Sequence, residues 1–527
     1  MPSPQPQPRT FTRAELDGRH ADKLLVAIDS QVFDLSRFVD AHPGGAAVLT
    51  HPDVAGKDAT AAFFGLHRPE ILDKPAYQRL VVGTVEGEKR RHCARAAGAL
   101  SIVPYAEPIW LTAGYASPPW FKESHRRLQA ECRYFFDTYI KAEAQELERS
   151  GARPDPKLLE LMGSERWEIL AMRMGPGKHL HGRKLPGGVK PEEFDYFHEL
   201  VVVQELARIG APGAMAGLGA GMVIGAPPLI NFASEEVRNE WLPDILRGRK
   251  FVSLAISEAH AGSDVQGIKT EAKLSPDGTH FIVNGSKKWI TNGHWSDAFM
   301  TAVKTEHGLS MLLIPRTDDV ETKIIKTAYS SAAGTAYVIF DNVRVPTRYL
   351  MGELDKGLKV ILSNFNHERW VINVRVAAYS RFIVEETWRW ANVRQVFGQP
   401  LVQQPVVRAK FAKMFSAVEM GQTWLESLTY QMINMDYATQ SDLLAGPMAL
   451  LKYSLTRFGT EISDNAVQIL GGRGITVGGL GQYIEQYQRN YKFDSILGGS
   501  EEVLADLGVR QAIKNGRKAE AAAAAKL

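Results

Sequence analysis

Leu254-Ala255-Ile256-Ser257-Glu258-Ala259-His260-Ala261-Gly262-Ser263-Asp264 reads as an apolar strand that runs into small residues and hydroxyls. Small side chains let a planar ligand approach the backbone, where free amides and serine hydroxyls can bond its polar edge. Twenty-five residues on, Trp289-Ile290-Thr291-Asn292-Gly293 adds an aromatic plane and another hydroxyl. A packed β-core would explain either stretch alone; together they point to a ring-binding wall. Outward from it, residues 120–250 carry helical periodicity interrupted by the Gly- and Pro-rich Gly175 to Pro191, and residues 251–346 carry strand signals. Phe281-Ile282-Val283 and Trp289-Ile290-Thr291 stand on either side of an expected turn at Asn284-Gly285. Helical periodicity returns after Pro346 and holds to about Lys514, with no internal repeat.

The chain has 527 residues, enough for three to four units of about 100–200 residues. Hydrophobic residues are 45% and charged residues 23%, ordinary for a globular protein. The 62 basic against 59 acidic side chains leave +3, too even for a dedicated nucleic-acid binder. Cys93 and Cys132 cannot form a disulfide framework or a cysteine-based zinc site, which fits a reducing compartment. Met1 to Thr10 lacks the apolar core of a secretory signal. The one long uncharged run, Gly210 to Ala233, carries six glycines and three prolines, which suits a buried helix better than a membrane span.

Composition shifts near residue 90. Phe11 to Glu88 carries −4, leaving +7 on the remainder. Its pattern is α+β: a helix start at Thr12, a strand at Leu24 to Ile28, then short helices around a histidine-containing loop. His42-Pro43-Gly44-Gly45 is followed 25 residues after His42 by His67. Two neutral imidazoles can clamp a heme iron from both faces. Val48, Leu49, Ala55, Phe63, Phe64 and Leu66 would line an apolar slot between them. Phe38 to Gly45, then Gly56-Lys57-Asp58-Ala59-Thr60, Phe63 and His67 resemble the cytochrome b5 family over residues 11–88. The resemblance implies His42 and His67 as axial ligands of heme b, held noncovalently because no Cys-x-x-Cys-His is present. His51, in an apparent insertion, is a rival ligand.

Residues 105–515 resemble the acyl-CoA dehydrogenases. The resemblance rests on Ala261 to Val265 with Gly267-Ile268-Lys269-Thr270, on Asn284-Gly285 with Lys288 to Gly293, on Arg394 with Phe397-Gly398, and on Gln468 to Gly472. The implied architecture is multidomain: a cytochrome b5-like α+β domain (11–88), a linker and docking strap (89–119), an α-helical domain (120–250), a middle β-barrel-like domain (251–346), a C-terminal four-helix bundle (347–515) and a tail (516–527). It implies FAD, with Ser257, Trp289 and Thr291 at the isoalloxazine and Leu254 and Ser263 where flavin meets acyl-CoA. It also implies Arg394, Phe397, Gln468, Gly471 and Gly472 at the adenine-pyrophosphate end, partly across a subunit boundary, and hence a homodimer or homotetramer. Pro405, beside Gln404, stands where the family often has glutamine, and His260 where proline is usual.

Desaturating an acyl thioester requires a carboxylate to take the α-proton. In many family members it precedes a Gly-Thr, but the loop here reads Ile496-Leu497-Gly498-Gly499-Ser500-Glu501-Glu502, with glycine at that position. The branched-chain isovaleryl and long-chain members instead take the base from a C-terminal-domain helix, where Asn366-His367-Glu368-Arg369 falls. Glu368 is therefore the expected base, with Arg369 near the thioester; a surface glutamate paired with Arg375 is the structural alternative. Glu501 and Glu502 are the other carboxylates, and Ser500 and Glu502 match loop positions at the flavin. Gly498 is expected to leave room beside the acyl chain, the Gly213–Gly225 helix to border an acyl tunnel, and a glutamate installed at 498 to restore a base.

The implied activity is FAD-dependent α,β-dehydrogenation of an acyl-CoA, as in fatty-acid β-oxidation, with electrons leaving through the fused heme by salt-sensitive docking of the acidic domain. An oxygen-using acyl-CoA oxidase, an enoyl-CoA reductase fed by the heme, and a non-enzymatic redox or scaffold module are the alternatives. The partners implied are an acyl-CoA, an electron acceptor or reductase, and a peroxisomal import receptor for Ala525-Lys526-Leu527, which resembles Ser-Lys-Leu. No nucleic acid and no membrane span are expected, and a cytoplasmic location is the alternative to the peroxisome.

Overall fold

The computed structural model describes residues 9–17, 23–91 and 95–525. Cys93, Lys526 and Leu527 lie outside the described residues, so the expectations resting on them have no structural counterpart. The chain divides into two compact units.

The first unit comprises the N-terminal 96 residues with Thr387–Arg408 and Val467–Glu485. Its sheet, in the order β1-β4-β3-β2, uses β1 (Arg9–Phe11), β2 (Leu25–Ile28), β3 (Gln31–Asp34) and β4 (Val81–Val85). Between strands lie the short helices α1 (Arg13–Asp17), α2 (Ala46–Thr50), α3 (Thr60–Phe64) and α4 (Pro75–Gln78). The helix start at Thr12 is present and has a capping reason. Its hydroxyl accepts from the Glu15 amide at 3.2 Å, while the Glu15 carboxylate accepts from the Thr12 amide at 2.7 Å. Val26, Ile28, Phe33, Leu35, Leu49, Ala59, Phe64 and Leu72 form the core.

The second unit opens with the strap. Its Ser101 hydroxyl donates to Glu385 at 2.6 Å, and Glu107 holds it to a buried arginine: the Arg133 guanidinium donates to Glu107 at 2.5 and 2.9 Å and to Glu205 at 2.7 and 2.8 Å. Trp110 stacks on Phe121 at 4.1 Å. Helices α5 (Glu123–Phe135), α6 (Lys141–Ser150), α7 (Pro156–Met162), α8 (Ile169–Met172), α9 (Tyr196–Ala207), α10 (Pro212–Gly217), α11 (Ala220–Phe232) and α12 (Glu235–Leu246) follow. The run Pro212–Phe232 is long and apolar enough to cross a membrane, yet 83% of its most apolar window is buried in the fold.

The β region holds β5 (Val252–Ala255), β6 (Glu271–Leu274), β7 (His280–Ile290), β8 (Ala298–Lys304), β9 (Leu309–Pro315), β10 (Val320–Ile324), β11 (Ala336–Pro346) and β12 (Leu350–Met351). They form one sheet, β10-β11-β7-β6-β8-β9-β12, with β5 also on β8. The expected turn at Asn284-Gly285 does not occur: β7 runs straight through it. Gly285 instead permits a close approach, since a Cβ there would lie 2.6 Å from the Thr270 Cα, and its φ is +143°. Asn284 bonds across to Asn342 on β11.

Long helices follow: α13 (Gly357–Ser363), α14 (Phe365–Val393), the small hairpin β13 (Gln395–Val396) and β14 (Gln399–Pro400), then α15 (Pro405–Ile433), α16 (Tyr437–Leu443), α17 (Ala445–Leu470), α18 (Gln482–Ile496) and α19 (Glu501–Ala524). The tail expected from residue 516 is helical to Ala524. Lys514 and Lys518 both reach Asp442, at 3.0 and 2.8 Å, and the alanine run has high helix propensity.

Candidate functional site

In the first unit, the His42 and His67 rings lie with centroids 6.0 Å apart. His67 Nδ1 donates to the Phe63 carbonyl at 3.1 Å, which leaves Nε2 as the lone-pair nitrogen, and the ring stacks on Phe63 at 4.5 Å. His42 Nδ1 is buried and has no hydrogen-bond partner among the described residues. Burial, and then the neighbouring His42, pull the His67 pKa below its ordinary value, which favours the neutral ring that ligates a metal. Metal–nitrogen bonds of about 2 Å fit between rings so spaced, so these residues suit a bis-histidine heme. His51 is on the surface beside Asp53 and is not part of this pair. Leu49 and Phe64 are buried, whereas Val48 and Leu66 are exposed.

The same unit carries Arg394, the exposed Phe397 in a left-handed backbone (φ +50°), and Gln468, Gly471 and Gly472, also exposed. Arg473 donates to the Gly65 carbonyl at 3.1 Å, and the Arg68 guanidinium lies 4.6 Å over the Tyr483 ring.

In the second unit, the Lys288 amide donates to the Ser257 carbonyl at 2.8 Å and brings the two halves of the ring-binding wall together. Trp289 holds φ +68° and is 53% exposed as a residue, a strained posture for a bulky side chain. Leu254, Ser257 and Thr291 are half-buried, and Ser263 is exposed. Behind the wall, the wholly buried Lys287 donates to Glu258 at 2.8 Å and to the Ile256 carbonyl at 3.0 Å. Burial alone would raise the Glu258 carboxyl, but Lys287, Thr270 and the Lys269 amide hold it down at about 2. His260 lies 3.3 Å from the same carboxylate.

The glycines of α10 and α11 sit in close contact with neighbouring segments. Gly213 and Gly217 of α10, and Gly221 and Gly225 of α11, stand four residues apart within their helices, so each pair shares a face of its own helix. A Cβ would meet Ser330 at 2.4 Å, the Ala332 carbonyl at 2.1 Å, the Thr291 carbonyl at 2.7 Å and the Leu254 amide at 2.9 Å, respectively. Gly221 and Gly225 seat α11 directly on the wall residues Thr291 and Leu254, and Gly213 and Gly217 seat α10 on Ser330 and Ala332; a larger side chain at these positions would cost about 1–3 kcal/mol in overpacking. The four-residue spacing is the signal in the sequence that points to this packing.

Glu368 sits in the first turn of α14, where the helix N-terminus favours a carboxylate. A Cβ on Gly498 would lie 3.6 Å from Glu368 Oε1, 3.8 Å from Lys452 Cε and 2.7 Å from Ile372 Cδ1. The space freed by glycine is thus taken by protein, chiefly Ile372, and the loop's φ of +67° also disfavours a side chain. Both facts correct the expectation of open room beside the acyl chain and of a functional glutamate at 498. Arg375 pairs with Asp494 and not with Glu368. Arg369 Nε donates to the Gly498 carbonyl at 3.0 Å, so it anchors this loop. Burial raises the Glu368 pKa above the ordinary carboxylate value, against the pull of Arg369, Lys452 and His367. Ser500 is the N-cap residue of α19, Glu502 is exposed in its first turn with a lowered pKa, and Glu501 is buried 3.7 Å from Arg457.

His125, Asp195 and His198 also converge, but their polar atoms are used as helix caps. His125 Nδ1 accepts from the Lys122 amide at 2.8 Å and His198 Nδ1 from the Asp195 amide at 3.1 Å.

The family models described as acyl-CoA dehydrogenase N-terminal, middle and C-terminal domains match residues 122–249, 253–343 and 355–513. The cytochrome b5-like heme/steroid binding domain matches residues 12–86. The chain is 38% identical over 426 residues to the acyl-CoA dehydrogenase apdG of Emericella nidulans, covering 79% of this chain and 96% of that one. It is 26% identical over 407 residues to the mitochondrial long-chain specific acyl-CoA dehydrogenase of Sus scrofa, covering 75% and 87%. Similar solved structures include an acyl-CoA dehydrogenase complexed with FAD from Bacillus anthracis, with TM-score 0.68, 24% identity and coverage of 77% and 69%. Butyryl-CoA dehydrogenase from Megasphaera elsdenii gives TM-score 0.65, 20% identity and coverage of 75% and 99%.

Proposed function

The chain belongs to the acyl-CoA dehydrogenase family, with a cytochrome b5-like domain at its N-terminus, and we propose that it desaturates an acyl-CoA thioester between Cα and Cβ with Glu368 as the base. The observation that carries this reading is the convergence of the Glu368 carboxylate on the Gly498 loop. FAD, when bound, supplies the acceptor for the β-hydride. Ser257, Trp289 and Thr291 would hold its ring, Leu254 and Ser263 would stand where it meets the acyl-CoA, and Ser500 and Glu502 would lie along the loop beside it. Arg394, Phe397, Gln468, Gly471 and Gly472, exposed in one chain, would hold the pyrophosphate end with a second copy of the chain.

Glu368 takes the α-proton as the β-hydride leaves, and the carboxylate must be ionised to do so. Its raised pKa makes it a stronger base than a solvated carboxylate. Arg369 and Lys452 hold the two loop carbonyls, which fixes the loop in place next to the base.

The second part of the proposal is electron routing into a heme held by His42 and His67. Anaerobic mixing of the holoenzyme with butyryl-, isovaleryl- and palmitoyl-CoA tests both parts. Flavin absorbance is expected to bleach first and the reduced-heme band to follow within one molecule. A flavin that none of these thioesters bleaches rejects the desaturation; bleaching with heme oxidised throughout rejects the routing and leaves oxygen or a separate flavoprotein as acceptor.

The peroxisomal address is proposed on the sequence Ala525-Lys526-Leu527 alone. Deleting the tripeptide from an N-terminally tagged protein should move it from peroxisomes to cytosol with activity intact. Unchanged punctate signal after deletion counts against the address.

A further inference from the structure

Lys452 on α17 is fully buried, at 0% exposure. Its ammonium donates to the Gly499 carbonyl at 2.8 Å, and among the described residues that is its only hydrogen bond. A lysine is seldom buried with so little hydrogen-bonding compensation, because desolvation penalises the charge. The surrounding geometry supplies a reason. Lys452 Cε and Glu368 Oε1 lie 3.8 and 3.6 Å from one point, the Cβ position of Gly498. Arg369 holds the Gly498 carbonyl and Lys452 the next one, so the two cations clamp adjacent peptides of the loop beside the carboxylate.

We propose that Lys452 is a positioning residue of the reaction: its charge keeps Glu368 ionised in a buried site, and its hydrogen bond holds the glycine loop against the base. This rests on Glu368 being the base. Other charged groups are near but largely engaged. His367 on α14 pairs with Glu199 of α9 at 2.8 Å, Arg375 of α14 with Asp494 of α18, and Glu501 of α19 lies 3.7 Å from Arg457. Arg369, on the same helix as Glu368, is the second cation facing the carboxylate. Burial pushes Lys452 down to about 7, against the pull of Glu368, and pushes Glu368 up, against the pull of Arg369 and Lys452. Each of the two therefore favours the charged form of the other.

Removing the lysine charge raises the proton affinity of Glu368, so less of the base is ionised at a given pH. The test is the pH profile of flavin reduction in anaerobic stopped flow, using whichever of butyryl-, isovaleryl- or palmitoyl-CoA bleaches the parental holoenzyme fastest. In Lys452→Met the ascending limb should move upward by about 1 pH unit or more, an approximately tenfold slower reaction at a fixed pH on the limb. The plateau should fall much less. Lys452→Arg should keep the parental limb, because the charge is restored. If the Met variant fails to retain flavin, Lys452→Gln is read in its place against the same Arg control. An unmoved limb with a uniform rate loss in the charge-free variant, or a limb equally displaced in the Arg variant, overturns the proposal and leaves Lys452 as a packing residue. Glu368→Gln separates the two readings: if it still reduces flavin at the parental rate, the base assignment fails, whatever Lys452 does.

Discussion

Exchanging Glu368 for glutamine lowers flavin reduction by acyl-CoA about 10²–10⁴-fold while FAD and acyl-CoA stay bound. Glutamine keeps the volume and the helix position and removes only the group that takes the proton. The same burial that raises the Glu368 pKa places the working limb of the parental enzyme above the ordinary carboxylate range. Rate is lost as pH falls through that raised pKa and is fully present above it. The Gln variant should show no such limb. Anaerobic stopped flow at the flavin band checks both features, and a Gln variant that bleaches at nearly the parental rate would move the search for a base to Glu502. Adding Gly498→Glu to the Gln variant should not rescue it. The new side chain would start 2.7 Å from Ile372 Cδ1 on a backbone at φ +67°.

Loss of either heme-type histidine has the second large effect. His67→Ala and His42→Ala should each abolish the low-spin, six-coordinate heme spectrum and leave the FAD spectrum unchanged. The fold of the domain should survive, because its core of Val26, Ile28, Phe33, Leu35, Leu49, Ala59, Phe64 and Leu72 contains neither ring. What is lost is specific: the Phe63 carbonyl orients the His67 nitrogen, and the His42 ring is held with one buried nitrogen unpartnered among the described residues. Acid should mimic the substitution. His67 ligates as the neutral ring, and a protonated ring has no lone pair for a metal, so low pH should release the heme. Absorbance of the purified variants decides the assignment, and a normal low-spin spectrum in the His67→Ala protein rules out the pair. Mixed anaerobically with acyl-CoA, that variant should keep the flavin phase and lose the heme phase.

Features carried by neighbours in the chain are legible in the sequence alone. The capping hydroxyl of Thr12, the strand that precedes Ser257, the spacing of His42 and His67, and the apolar run that forms α10 and α11 all follow from contacts within a few turns or from composition. Sequence misleads where a residue's reason lies far away. Asn284-Gly285 has the chemistry of a turn, yet it lies inside β7, with Asn284 bonded to Asn342 on β11. The alanine run has the composition of a tail, yet Lys514 and Lys518 reach Asp442 on another helix.

The same division governs the site. The wall residues are legible as short motifs, and the resemblance to the acyl-CoA dehydrogenases carries the expectation of Glu368 as base and of a carboxylate where Gly498 stands. The chain order cannot show that Ile372 blocks the space at Gly498, that Glu258 and Lys287 lock the wall from behind, or that Lys452 stands beside the base. Burial and charge pairing depend on which distant segments pack together, so the proton affinity of Glu368 is a property of the folded chain: burial and Lys452 on a distant helix act on it together with its own neighbours Arg369 and His367.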